Sequence, residues 1–381
     1  MRVLFTFAGG SGHVDPLVPF ASAARAAGHT VAFAGRASAL AHLRTQRFSA
    51  FDDSSDTAPE PGTIAPLLEL SLEREDRVLR NGFAGRVARA RATEVLALCA
   101  EWSPDAVVCD EVDFGSMVAA ERAGLPHATV LVIAAGSFVR ADLIAEPLSA
   151  LRAEHGLPPD PDLEMLSRHL VLSPFPPSYR DPAFPLPATA HSFRPASLEP
   201  GGAAPNWLSR LPSVPTVYVT LGTAFNLESG DLFTRVLAGL RELPINLVVT
   251  VGREIGPREL GPQPANVHIE PYIAHAALLP HCDLVVSHGG SGSVIGALAA
   301  GLPSVVLPMG ADQPLNAARC EALGVGLALD AFHATPEAVR AAVLAVLGEP
   351  SYRESAARIR DEIATLPGPA HAVPLLERLA A

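Results

Sequence analysis

The chain has 381 residues, 49% apolar and 18% charged, which suits about two folded domains and excludes disorder. Its formal net charge of −12, from 28 basic and 40 acidic residues, has the wrong sign for following nucleic-acid phosphates. No residue is lysine, so the Walker A lysine of P-loop NTPases, the Schiff-base lysine of pyridoxal phosphate enzymes and the protein-kinase lysine are excluded together.

From the N-terminus, Arg2 to Ala8 is a short apolar run bounded by glycines, the pattern of a buried parallel strand. It stops at Gly9-Gly10-Ser11-Gly12, too early for a signal peptide. A helix is predicted from Pro16 to Ala27, then a strand over Thr30–Ala34, making a strand–helix–strand unit. The alternation continues with a strand at Ala106–Cys109, a helix at Gly115–Ala123 and a strand at His127–Ala134. Prolines crowd between Ser173 and Pro215, where regular structure is not expected to persist. The pattern then restarts with strands at Thr216–Leu221, Asn246–Val251, Asp283–Ser287 and Ser304–Leu307 and a helix at Asp231–Leu240. The expected fold class is α/β, with Rossmann-like domains at 1–195 and 215–365, a linker at 196–214, and a C-terminal helix within 366–381 packing back on the first domain. Two such domains suggest a cleft between them where ligands gather. The apolar stretch 294–311 is broken by Gly301, Pro303 and Pro308, so no membrane span is expected and the predicted location is cytoplasmic. Cys99, Cys109, Cys282 and Cys320 stand outside any CxxC or zinc-like spacing and read as buried small hydrophobes of a reducing compartment.

Gly10-Ser11-Gly12-His13 follows the first strand and opens a helix. As a dinucleotide fingerprint it fails, because Asp15 occupies the position of the third glycine and Gly35-Arg36 follows the second strand where an acid is needed. A nicotinamide cofactor is therefore not expected. The alternative is that the loop presents His13 as a general base, an imidazole whose reference pKa of about 6.5 suits proton transfer near neutrality. Asp110, ending a neighbouring strand, is the natural carboxylate to orient it, with Asp113 in reserve. Position alone leaves open that His13 merely caps the helix turn.

The second loop, His288-Gly289-Gly290-Ser291-Gly292-Ser293, lies between a strand and a helix predicted over Val294–Ala300. Glycine permits close backbone approach, and helix-opening N–H groups favour an anion. Without lysine, a diphosphate here must be held by amides, hydroxyls and one imidazole. Asp312 and Gln313, after the next strand, offer partners for sugar hydroxyls, and Thr220-Leu221-Gly222-Thr223 ends another strand at the same predicted edge.

The segment from Tyr272 to Asn316 resembles the donor-binding region of family 1 glycosyltransferases of the two-domain GT-B fold. Gly10-Ser11-Gly12-His13-Val14-Asp15-Pro16 is similar to that family's acceptor-side loop. The resemblance covers essentially the whole chain and leans towards bacterial enzymes that decorate antibiotics and other natural products. It implies that His13 is the general base and Asp110 its orienting partner. It further implies that Thr223, His288, Gly290, Ser291, Gly292 and Ser293 bind the diphosphate, and that Asp312 and Gln313 bind the sugar. Tyr272 stands where the family often has a base-stacking tryptophan, in a Tyr272-Ile273-Ala274-His275 context that departs from the pattern and leaves thymine and uracil both open. The implied reaction is inverting and metal-independent, from a TDP- or UDP-linked (deoxy)hexose to an apolar natural-product aglycone, with no cofactor. The aglycone is expected against segments 57–72, 81–92 and 134–148, with Phe83, Phe114 and Phe138 as candidate wall. The alternatives are a sugar-nucleotide 2-epimerase and a non-catalytic sugar-nucleotide-binding partner of another transferase. A homodimer is compatible with the sequence.

Overall fold

The structure is a computed structural model describing residues 1–52, 64–195, 204–222 and 225–381. The chain forms two compact units, one from Met1–Ala58, Leu72–Leu198 and Leu366–Ala381, the other from Pro59–Ser71 and Glu199–Thr365.

The first unit is built on a seven-stranded parallel sheet. Its strands are β1 (Arg2–Thr6), β2 (Thr30–Gly35), β3 (Ser49–Asp52), β4 (Ala106–Asp110), β5 (His127–Val130), β6 (Leu170–Ser173) and β7 (Ala190–Ser192), in spatial order β3-β2-β1-β4-β5-β6-β7. Val3, Leu4 and Phe5 of β1 and Val107 and Val108 of β4 are fully buried, because helices cover both faces. The order reverses between β1 and β4, so the two connections leave in opposite directions and open a crevice at their C-terminal ends. The second unit repeats the plan with β8 (Thr216–Thr220), β9 (Asn246–Thr250), β10 (Val267–Glu270), β11 (Leu284–Ser287), β12 (Ser304–Val306) and β13 (Gly326–Ala328), ordered β10-β9-β8-β11-β12-β13 and parallel throughout. Its reversal lies between β8 and β11. Each unit is thus Rossmann-like.

Three features depart from the sequence reading. The predicted helix Pro16–Ala27 is observed over Val18–Ala26, and a separate four-residue helix, Ser11–Val14, precedes it. The proline-rich stretch is not structureless, since β7 lies within it, parallel to β6. An edge strand of three residues tolerates flanking prolines because one side of its backbone needs no ladder partner. Residues 64–71 do not serve the first unit. Ala65 N–H donates to the Leu227 carbonyl at 2.6 Å, Gly230 N–H donates to the Ala65 carbonyl at 3.0 Å, and Leu67 packs on the second unit's core. Residues 57–63 of that candidate acceptor segment lie outside the described residues.

At the C-terminus, Val373–Leu379 is helical, and Ala372 and Leu376 are buried in the first unit's core. The segment after residue 71 is one long helical run, α-helical over Leu72–Arg77 and Ala88–Trp102 but π-helical over Val78–Val87. All four cysteines are buried and none is in a disulfide, and burial pushes the Cys99 and Cys282 thiols up to about 11 and about 12. Among the described residues no helix is long and apolar enough to cross a membrane.

Candidate active site

In the first unit His13 and Asp110 meet at the switch point between β1 and β4. The chain leaves β1 through Gly9 and Gly10 and enters the short helix Ser11–Val14, which carries His13. Asp110 is the last residue of β4 and is fully buried. Its Oδ2 accepts from Ala8 N–H at 2.8 Å and lies 3.3 Å from His13 Nδ1, while Oδ1 accepts from Val112 N–H at 2.7 Å. Backbone amides therefore fix the carboxylate, and the carboxylate holds one nitrogen of the ring. The His13 side chain keeps 24% of its surface exposed. Asp113, the reserve candidate, is committed elsewhere. It caps helix Phe114–Arg122 through Ser116 and pairs with buried Arg91 at 3.3 Å.

Gly9 makes room for this arrangement. A Cβ there would lie 2.0 Å from His13 Cδ2, inside the imidazole. Gly10 and Gly12 are not needed for it, since a Cβ at either would meet nothing within 4 Å. The Phe83 ring stacks on His13, centroids 5.7 Å apart and planes 24° from parallel. Phe138 is partly buried against the core, and Phe114 is fully buried core rather than pocket wall.

In the second unit the helix after β11 begins at Ser291, three residues earlier than predicted, with Gly290 as N-cap. Ser291, Gly292 and Ser293 therefore form its first turn, where outward-pointing N–H groups and the dipole create a positive end. Gly292 is exposed and Ser293 half-buried. Ser291 is buried, and its hydroxyl donates to Asp312 Oδ2 at 2.6 Å. Asn316 Nδ2 donates to the same oxygen at 2.8 Å and to the Gly289 carbonyl at 2.9 Å. Gln313 is almost fully buried, and its Oε1 accepts from Met309 N–H at 2.8 Å and Gly310 N–H at 3.2 Å. Asp312 and Gln313 thus brace the loop, a duty the sequence reading did not foresee. Asn316 was missed as its anchor, although its spacing of four residues from Asp312 puts both on one helix face.

His288 is buried beside Gly222, whose φ is +79° and whose absent Cβ would lie 2.6 Å from the imidazole. Burial, helped by neighbouring His275, pushes its pKa down to about 4, so the ring is neutral. Its Nδ1 has no hydrogen-bond partner among the described residues. Tyr272, 40% exposed, carries the Arg253 guanidinium 4.6 Å from its ring centroid. His275 turns inward, with Nε2 3.4 Å from the Tyr218 hydroxyl. Thr223 lies outside the described residues. Among the described residues no group of three or more His, Cys, Asp or Glu is placed to hold a metal ion.

Residues 234–379 match the family model for the C-terminal domain of erythromycin biosynthesis protein CIII-like proteins. Over the full length the chain is similar to 4'-demethylrebeccamycin synthase of Lentzea aerocolonigenes, with 31% identity over 99% of this chain and 99% of the relative. It is likewise similar to the TDP-daunosamine transferase DnrS of Streptomyces peucetius, with 31% identity over 100% of this chain and 97% of that protein. Among solved structures, the glycosyltransferase SnogD of Streptomyces nogalater superposes with a TM-score of 0.81 at 27% identity, covering 100% of both chains.

Proposed function

This chain belongs to the GT-B glycosyltransferases that act in bacterial natural-product biosynthesis, and from that premise we propose that it transfers a (deoxy)hexose from a TDP- or UDP-linked donor to a hydroxyl of a small, apolar natural product. It is a glycosyltransferase, and the epimerase alternative is set aside with that membership. The observation that carries the proposed chemistry is the His13–Asp110 pair, a part-exposed imidazole held at Nδ1 by a buried carboxylate. Asp110 fixes the tautomer that leaves Nε2 as the base and balances the imidazolium as it forms. The acceptor oxygen gives its proton to His13 and attacks the anomeric carbon from the face opposite the leaving diphosphate. One displacement of this kind inverts configuration.

The leaving charge falls to the second unit. The start of helix Ser291–Ala299 offers amides and a dipole, and neutral His288 offers a ring N–H. No metal is needed in this scheme, because that end of the unit supplies the charge stabilisation. Asp312, Gln313 and Asn316 keep the loop in shape, and what Asp312 and Gln313 retain for the sugar is secondary to that bracing. Tyr272 is the exposed aromatic for the base, and its Arg253 neighbour must shift or share the ring face. A thymidine diphosphate donor is favoured by the similarity to the TDP-daunosamine transferase.

The test is a panel of TDP- and UDP-sugars with aromatic polyketide and macrolide aglycones, following nucleotide release and product stereochemistry. The expected result is acceptor-dependent release, faster from TDP donors, with a product of inverted configuration. A product of retained configuration, or isomerised donor without transfer, overturns the reading.

A further inference from the structure

We propose that Phe83 is a positioning residue for His13, delivered to the imidazole by the π-helical turns Val78–Val87. The proposal rests on the reading of His13 as the base.

The segment Val78-Leu79-Arg80-Asn81-Gly82-Phe83-Ala84-Gly85-Arg86-Val87 interrupts what would otherwise be one α-helix from Leu72 to Trp102. Ten π-helical residues are unusual, since the wide turn packs its own backbone poorly and is found mostly as single-turn bulges, often at functional sites. Gly82 and Gly85 weaken the α alternative, each by about 1 kcal/mol relative to alanine. Gly85 also fits the wide turn sterically, because a Cβ there would meet the Arg80 carbonyl at 3.2 Å. The change of winding rotates the residues within the segment relative to an uninterrupted α-helix. In the wound state, Phe83 is half-buried and lies against the His13 ring, while Leu79, Ala84 and Gly85 are buried.

The imidazole is thereby held by three groups. Asp110 from β4 supplies the anion at Nδ1. Gly9 supplies the empty volume in which the ring edge sits. Phe83 supplies an aromatic face in offset stacking, an arrangement that favours both a fixed ring plane and the imidazolium produced when the base accepts its proton. A ring held by Asp110 alone could still swing about the Nδ1 contact, carrying Nε2 away from the acceptor hydroxyl. Displacements of about 1 Å in reacting groups cost up to about a hundredfold in rate.

The experiment compares Phe83→Leu, which keeps bulk and loses the ring, with Phe83→Tyr, which keeps the ring, in the full-length enzyme. Donor affinity by calorimetry and the thermal midpoint show whether each variant is folded. Phe83→Leu should lower kcat about tenfold, leave donor affinity unchanged, and move the acid limb of the kcat/KM profile down by about half a pH unit. Phe83→Tyr should restore both. An unmoved pH profile with only a raised acceptor KM would make Phe83 a wall of the acceptor site and overturn the proposal, as would a leucine variant equal to the wild type. If Phe83→Leu does not fold, Phe83→Met, which likewise lacks a ring, replaces it, and the same shift of the acid limb without a change in donor affinity is required. His13→Gln is run alongside. Near-wild-type turnover there overturns the base assignment itself, whereas an inactive His13→Gln with a Phe83→Leu that leaves the profile untouched overturns only the positioning role.

Discussion

The loops closing β1 and β11 each carry a histidine at a switch point, and their surroundings differ in almost every respect. His13 follows the first strand of its sheet and leans on a carboxylate from the fourth. His288 follows the fourth strand of its sheet and leans over a glycine from the end of the first. One ring is part-exposed, anchored to a buried anion and stacked on Phe83. The other is buried, has no carboxylate among its described partners and is held neutral. On the function proposed above, the same doubly wound topology places an imidazole for proton transfer in one unit and an imidazole for hydrogen-bond donation in the other. Topology fixes the address, and the neighbouring charge decides the chemistry.

The largest effect that separates the two rings is expected from His13→Ala. Turnover should fall roughly 10²- to 10⁴-fold, the range for losing a positioned general base, while donor affinity measured by calorimetry stays close to wild type. A variant that keeps its turnover, or loses donor binding in step with it, would erase the distinction between the loops.

The glycines offer a sharper version. Each histidine fills the space of a missing Cβ: Gly9 under His13, and Gly222, from the end of β8, under His288, where Gly290 of the same loop leaves a second such space. Gly9→Ala should push His13 off Asp110 and lower kcat about a hundredfold with donor affinity intact. Gly222→Ala adds the strain of an alanine at φ +79° and displaces His288, so the donor Kd should rise about tenfold or more. Turnover at saturating donor should suffer less. Crossed results, with Gly9→Ala weakening the donor and Gly222→Ala sparing it, would contradict the division of labour.

Much of this was legible in the chain because buried parallel strands are apolar runs between glycines. β1, β2, β4, β8, β9, β11 and β12 are written that way, and the histidines follow at fixed distances. β7, at the edge of its sheet, was hidden by the prolines around it, since the physics that excludes proline from central strands does not apply at a sheet edge. Residues 64–71 follow the first unit's opening elements in sequence, yet their contacts are with Leu227 and Gly230, and no local pattern announces a contact so distant. Gly10 and Gly12 drew attention as a motif, whereas Gly9 does the steric work, which only the position of the His13 ring reveals. Phe83 was visible as an aromatic but not as a neighbour of His13, because an α-helical period misplaces every residue of a π-helical turn. Ser291 shows a partner the sequence conceals. Its hydroxyl suggested a phosphate ligand, and the fold gives that hydroxyl to Asp312.

The smallest expected effect separates the rings by protonation rather than by activity. The His288 pKa is lowered from 6.5 to about 4 in the folded chain. Between those values the unfolded chain binds a proton that the folded one refuses, so this contribution to stability is fully present above about pH 6.5 and is lost as the pH falls towards 4. A single group with that shift contributes on the order of 3 kcal/mol across the window, with a slope of at most about 1.4 kcal/mol per pH unit. Buried His127 in the first unit is shifted the same way, so acid sensitivity alone does not identify the ring. The discriminating measurement is the difference between wild type and His288→Gln in urea-unfolding free energy from pH 7 to pH 4.5. The variant should lose less stability over that range, by close to one proton's worth of slope, even if it is weaker at neutral pH. Parallel curves would mean that His288 titrates as an ordinary exposed imidazole, and the second loop would then offer the donor a switchable cation in place of a neutral hydrogen-bond donor.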